Sequence, residues 1–109
     1  MQAILDEINT TLPHSFQYWN PGDMMNVEVM NVTKYDVVEK DGNLVIQVFT
    51  DGNHDWTETR VGGVQNIGRE AAWDVILYCE PLTKLYGLHN VKYEFYQNGE
   101  RVKVSTELK

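Results

Sequence analysis

The chain has 109 residues, of which 42% are hydrophobic and twelve are aromatic (three Trp, six Tyr and three Phe). That is enough to bury one core, so we expect a single folded domain spanning residues 1–109 and do not expect disorder. Sixteen acidic residues against nine basic ones give a net charge of −7, which disfavours direct binding to nucleic acid or to an anionic membrane.

The N-terminal segment predicts a short amphipathic helix over residues 2–11. Ile4, Leu5 and Ile8 recur at helical spacing, and Pro13 stops the helix. Residues 13–24 are rich in Pro and Gly, so we expect a loop there. Its large aromatic side chains indicate that this loop either lies against the domain or forms a contact surface.

A three-stranded meander is expected next. The first strand begins at Met25 and ends at Lys40, and a shift in its apolar pattern after Val29 indicates a bulge or a strand covered on both sides. The nearly apolar run from Leu44 to Thr50 predicts a central strand. Alternation from Trp56 to Val61 predicts a return strand. Two Asp-Gly-Asn turns, at 41–43 and 51–53, separate the three.

A second helix is predicted after Asn66, which is a suitable N-cap. Its apolar stripe includes Ala72 and Ile76, and Pro81 places its end near Cys79 or Glu80, with a further turn open before Gly87.

The C-terminal segment predicts a hairpin around Asn98-Gly99. A two-residue loop places Phe95 opposite Val102, Tyr93 opposite Val104 and Val91 opposite Thr106. On the other face it pairs Glu94 with Lys103 and Tyr96 with Arg101. Together these elements predict an α+β fold with one antiparallel or mixed sheet, made of the meander and the hairpin, and two helices packed on one face.

No catalytic, metal or cofactor motif is evident. Asp51-Gly52-Asn53-His54-Asp55 resembles the start of a calcium loop, but Trp56 stands where that loop needs glycine. None of the three histidines has a second ligand at helical metal-binding spacing, and Cys79 alone cannot form a disulfide or a cysteine metal site. We therefore expect no cofactor, no metal and no enzymatic activity, with a small enzyme using His54 and Asp55 as the alternative.

The surface of the meander is the candidate binding site. Acidic residues concentrate there, and Trp56 stands among them as an aromatic anchor of the kind that protein interfaces use. The predicted partner-binding residues are Asp36, Glu39, Asp41, Asp51, Asp55, Trp56 and Glu58.

These observations lead to the hypothesis of a non-catalytic inhibitor or immunity-type protein, a class that includes virus-encoded anti-defence proteins. Its partner would be a basic protein, such as a nuclease or another nucleic-acid-binding protein. The main alternative is an assembly or completion subunit of a larger particle, and self-association stays open. The acidic N-terminus carries no signal-peptide pattern and no apolar run is long enough to span a membrane, so a cytoplasmic location is expected.

Overall fold

The computed structural model describes residues 2–20, 23–54, 56, 67–88 and 90–104, and for residues 18–20, 23–28, 67, 69 and 70 the backbone alone. Within these ranges the chain forms two helices and one five-stranded mixed sheet, which confirms the α+β prediction. The elements are α1 (Gln2–Thr11), β1 (Ser15–Asn20), β2 (Asp23–Lys40), β3 (Asn43–Thr50), α2 (Ile67–Leu85), β4 (Lys92–Gln97) and β5 (Glu100–Val102).

The strands lie in the order β1-β2-β3-β4-β5. Neighbouring strands are antiparallel except β3 and β4, which are parallel. A parallel pair needs a long crossover connection, and here that connection contains α2. The central place of β3, predicted from its apolar run, is confirmed.

Both helices pack on one face of the sheet. They contact each other and β2, and one core joins them to the strands. Ile8 of α1, Ile46 of β3 and Ala72 of α2 are fully buried in it. None of the helices in the described ranges is long and apolar enough to cross a membrane.

The loop prediction for residues 13–24 is wrong, because β1 occupies Ser15–Asn20 and β2 begins at Asp23. Phe16 lies opposite Met30, and both side chains are buried. Pairing with β2 provides hydrogen-bond partners for the backbone of β1, and the ring of Phe16 packs in the core. The local Pro and Gly content could not reveal this pairing.

The meander is therefore formed by β1, β2 and β3. The two neighbours of β3 are β2 and β4, so the place predicted for the return strand belongs to β4. Trp56 lies outside any strand, and residues 57–61 lie outside the described ranges. Strand β2 does contain an irregularity of register, between Val32 and Lys34, a few residues later than the sequence pattern indicated.

Helix α2 continues through Pro81 to Leu85, beyond the end predicted at Cys79 or Glu80. Pro81 has no N–H to donate to the carbonyl of Leu77, four residues earlier. Leu77 is exposed, so water can donate a hydrogen bond to that carbonyl instead. The helix ends in a Schellman motif, in which Gly87 (φ 67°) donates to Lys84 and Leu88 donates to Thr83.

The hairpin register is confirmed over its paired residues. Phe95 lies opposite Val102 and Tyr96 opposite Arg101, and both turn residues, Asn98 (φ 53°) and Gly99 (φ 83°), have the left-handed geometry that this turn requires. Tyr93, Val102 and Val104 pack against the core beside buried Phe95. Glu94 lies on the opposite face of the sheet, as predicted, whereas Thr106 lies outside the described residues.

Candidate functional site

The predicted acidic residues do not form one patch. Glu39 and Asp41 are exposed near the β2–β3 turn, whereas Asp51 is exposed at the far end of β3. Eight strand residues separate these ends, a distance of about 25 Å at the usual rise per residue. Asp36 is half-buried and accepts a hydrogen bond from the Val37 amide at 2.8 Å. Asp55 and Glu58 lie outside the described residues.

Trp56 lies in the core and is only 5% exposed, so its ring does not project from the surface as the anchor that the sequence suggested. Its ring lies 5.9 Å from that of Phe95. The indole Nε1 donates to Gln97 Oε1 at 2.9 Å, and the same oxygen accepts the His54 amide at 2.8 Å. Gln97 therefore holds the segment that follows β3 against β4.

The structure does not test the alternative of a small enzyme that uses His54 and Asp55. Asp55 lies outside the described residues, so the structure gives no distance between its carboxylate and the His54 ring. Tyr35 is buried and donates from its hydroxyl to the Pro13 carbonyl. Among the described residues no group of three or more His, Cys, Asp or Glu side chains is placed to hold a metal ion.

Cys79 is fully buried in the middle of α2, not near its end. Burial raises the pKa of its thiol to about 12, and this desolvation, rather than a helix terminus, is the cause. A thiol with this pKa stays protonated at neutral pH.

We therefore expect Cys79 to be protected from alkylation in the folded protein. At pH 8, iodoacetamide should modify it at least about 100-fold more slowly than in urea, because the raised pKa lowers the thiolate fraction and burial restricts access to the thiol. Mass spectrometry of timed samples, with and without urea, measures the two rates. Rapid modification without urea would show that the thiol is accessible.

A polar cluster lies on the sheet face that the helices leave uncovered. Its centre is Glu94, whose side chain is only 8% exposed. Glu94 Oε1 accepts hydrogen bonds from Tyr96 Oη at 2.8 Å, Gln47 Nε2 at 3.0 Å and Lys40 Nζ at 3.1 Å. Arg101 approaches Oε2 at 3.6 Å. We call these five residues the Glu94 cluster.

The charge of Glu94 is stabilised by this cluster. Desolvation by itself would raise the pKa of the carboxyl group. The hydrogen bonds from Gln47, Tyr96 and Lys40 and the positive charge of Arg101 outweigh it and lower that pKa to about 2. The hydrogen bond to Glu94 correspondingly raises the pKa of Tyr96. Glu94 is therefore a buried carboxylate whose negative charge two cations share.

One residue of this cluster stands out in the sequence, although it was not among the predicted site residues. Gln47 is a polar residue in the centre of the otherwise apolar strand Leu44–Phe49. In the structure it lies directly opposite Glu94 on the parallel strand β4. A polar side chain at the centre of a sheet needs a partner, but only the strand order identifies Glu94 as that partner.

Basic residues also collect on this face, although they are isolated in the sequence. The register places Lys34 and Lys40 of β2, Lys92 of β4 and Arg101 of β5 there. Lys34 lies 4.7 Å from the centre of the Phe49 ring, which in turn stacks on Tyr96. Against these four cations, Asp36 and Glu94 are the acids of the same face within the described parts of β2 to β5. This face is therefore positive, in contrast to the chain as a whole.

The largest exposed apolar side chains lie on the opposite side of the molecule. Leu77 (60% exposed), Tyr78 (53%), Leu85 (73%) and Tyr86 (42%) follow one another along the second half of α2 and the turn after it. With exposed Pro81 between them, they form what we call the α2 stripe. Leu77, Pro81 and Leu85 are spaced by four residues, so they lie one above the other on the helix.

An apolar hollow continues this surface. Tyr86 lines it together with Ala3, Ile4, Leu44 and Leu88, and it has a volume of about 140 Å³. Charged residues border the stripe: Glu80 and Lys84 are exposed and form an ion pair at 3.3 Å. An apolar centre with a polar border is the usual organisation of a protein-binding surface.

Comparisons with protein-family models, with curated proteins and with solved structures find no match to this chain, so its function has to be inferred from its own surfaces.

Proposed function

We propose that this chain is a non-catalytic protein-binding domain that docks on a basic partner and acts as an inhibitor or immunity-type protein. The observation that carries the proposal is the α2 stripe. Large apolar side chains that are exposed in a row are uncommon on monomeric proteins and often mark binding sites. Tyrosine, which contributes two of the five residues, is enriched among the residues that dominate binding energy.

The hollow beside Tyr86 supports the same proposal. Its volume of about 140 Å³ and its apolar lining suit one aliphatic or aromatic side chain of a partner. A side chain seated there would lie next to the end of the stripe, so hollow and stripe together offer an anchor point and a flat apolar contact.

Charge favours a basic partner. The whole chain carries −7, and the helices contribute to it: α1 has two acids and no base, and α2 has three acids and two bases, a total of −3. The exposed meander residues Glu39, Asp41 and Asp51 lie at separate ends of the sheet, so in this proposal they add to the long-range attraction. Such a field accelerates the encounter with a positive surface, such as that of a nuclease or another nucleic-acid-binding protein. We also propose that the protein acts in the cytoplasm and that its role there is anti-defence.

A single substitution in the stripe tests this proposal. The bait is the full chain, used to capture partners from a lysate of its native host, and Leu85→Asp places a charge at the most exposed stripe residue. We expect this change to weaken binding of the captured basic partner by about 30-fold, as expected for the loss of an interface anchor. Surface plasmon resonance then gives the affinity and its salt dependence, and the association rate should fall as salt is raised.

Val29→Asp is the matched control, because Val29 is also an exposed apolar residue (40%) but lies on β2. It should leave the affinity within about two-fold of wild type. Equal loss in both variants, or no loss in either, contradicts the proposal.

Sedimentation of the wild type at high concentration tests the assembly alternative. If the chain self-associates and becomes monomeric with Leu85→Asp, a second copy of the chain binds to the stripe.

A further inference from the structure

Three cationic side chains line one cavity on the uncovered face of the sheet. Lys40 comes from β2, Lys92 from β4 and Arg101 from β5, and the cavity has a volume of about 280 Å³. Asp41, Asn43, Val45, Tyr93 and Glu94 complete its lining. We call it the sheet cavity. It is separate from the α2 stripe, so a ligand bound in it does not depend on the function proposed for the stripe.

One cation of the sheet cavity, Lys40, is held in place by the buried carboxylate of Glu94. Lys40 donates to both oxygens of Glu94, at 3.1 and 3.2 Å. To do so its side chain must cross β3 from β2 to β4, and Val45 on that intervening strand is only 3% exposed. Buried Glu94 is itself fixed by Gln47 and Tyr96. The position of Lys40 is thus set by a buried carboxylate that is itself hydrogen-bonded within the sheet.

Part of the positive charge is left for a ligand. Arg101 stands 3.6 Å from Glu94, too far for a hydrogen bond, and within the described residues it forms none. Lys92 has no ion pair there, in contrast to Lys84, which is paired with Glu80. The cavity therefore contains three cations against two carboxylates, those of Glu94 and Asp41, which leaves one net positive charge. Glu94 binds Lys40 directly and shares its charge with Arg101 at the longer distance.

We infer that the sheet cavity binds an oxyanion, the phosphate or carboxylate group of a small molecule. A guanidinium presents two parallel N–H donors that match two oxygens of such a group, and an ammonium adds a compact charge from another direction. Arg101 supplies the first kind of donor and Lys92 the second. Glu94 holds Lys40 in place at the cavity wall.

Titration of the ¹⁵N-labelled protein with inorganic phosphate tests this inference, with sodium chloride adjusted to keep the ionic strength constant. We expect saturable amide shifts confined to the sheet cavity, around Lys92 and Arg101. Arg101→Gln should raise the apparent Kd about ten-fold, since it removes the fork of donors but keeps an uncharged polar side chain. Lys84→Gln, at an exposed lysine of α2 that does not line the sheet cavity, should leave the Kd within about two-fold of wild type.

Acetate in place of phosphate separates the two sources of the oxyanion. Tighter binding of one assigns that group, and equal binding supports the shared chemistry. Lys92→Gln repeats the test at a second exposed residue, and circular dichroism confirms that each variant is folded. Shifts that do not saturate, that spread over the whole molecule or that persist unchanged in both Arg101→Gln and Lys92→Gln would overturn the inference.

Discussion

Acidification from pH 4.5 to pH 2 is expected to remove on the order of 3 kcal/mol from the free energy of unfolding through Glu94 alone. Its pKa is about 2 in the folded protein, below the ordinary value of 4.5 that it regains on unfolding. Because the pKa is lower in the folded protein, the stabilisation is fully present above pH 4.5 and is lost as pH falls through about 2. The difference between the two pKa values corresponds to about 3 kcal/mol. Urea unfolding at a series of pH values measures it.

Glu94→Gln isolates this contribution from that of the other acids. At pH 7 the variant should be about 2–3 kcal/mol less stable than wild type, because Lys40 and Arg101 lose their shared anion. The difference should shrink toward pH 2, where wild-type Glu94 also becomes neutral. Glu100→Gln, an exposed acid of the same hairpin, serves as the control and should follow the wild-type curve. Parallel curves for wild type and Glu94→Gln would show that the cluster does not hold a charged carboxylate.

Trp56→Ala is expected to have the largest effect on stability, about 3–5 kcal/mol. Removing a buried aromatic side chain forfeits its burial and leaves a cavity beside Phe95. A domain of this size is stabilised by about 5–15 kcal/mol, so the variant is near the limit of folding. Trp56→Phe should cost less, about 1–2 kcal/mol, since it keeps a smaller aromatic ring in the core and loses the hydrogen bond to Gln97. Urea unfolding followed by far-ultraviolet circular dichroism measures both changes.

Tyr78→Ala provides the comparison with an exposed aromatic residue. Tyr78 is 53% exposed in the α2 stripe, and its loss should change the free energy of unfolding by less than about 1 kcal/mol. A stable Trp56→Ala protein would mean that Trp56 does not contribute to the core and would return it to the candidate surface anchors. The pair of variants thus separates the aromatic residue that supports the fold from the one that is available to a partner.

Elements whose signals are local could be predicted from the sequence. The helical spacing of Ile4 and Ile8, with Pro13 after them, predicted α1, and Asn98-Gly99 predicted the register of the last hairpin. In each case the residues that decide the structure lie within about one helix or one turn of each other. The apolar run of β3 likewise indicated its central position, because neighbouring strands on both edges screen its side chains, and Val45 is 3% exposed even on the face that the helices leave uncovered.

The choice of strand partners could not be predicted in this way. A strand at Ser15–Asn20 forms because Phe16 and Met30 are buried together, and their positions are fourteen residues apart. Strand β3 pairs with β4, which follows a helix of nineteen residues, whereas the sequence pattern predicted the nearer segment at residues 56–61 as its neighbour. Helix α2 likewise passes Pro81, where the carbonyl that loses its donor is on an exposed turn.

The class of the fold, the local turns and the excess of acidic residues could all be read from the amino-acid sequence. Which charges and apolar groups stand together depends on the tertiary structure. Lys40, Lys92 and Arg101 are isolated along the chain, but the order β2-β3-β4-β5 brings them to one cavity around a buried carboxylate. Asp41 and Asp51 are close in sequence, yet the extended strand β3 between them places them at opposite ends of the sheet. A strand separates neighbours in sequence by about 3.3 Å per residue, whereas pairing brings distant segments within about 5 Å.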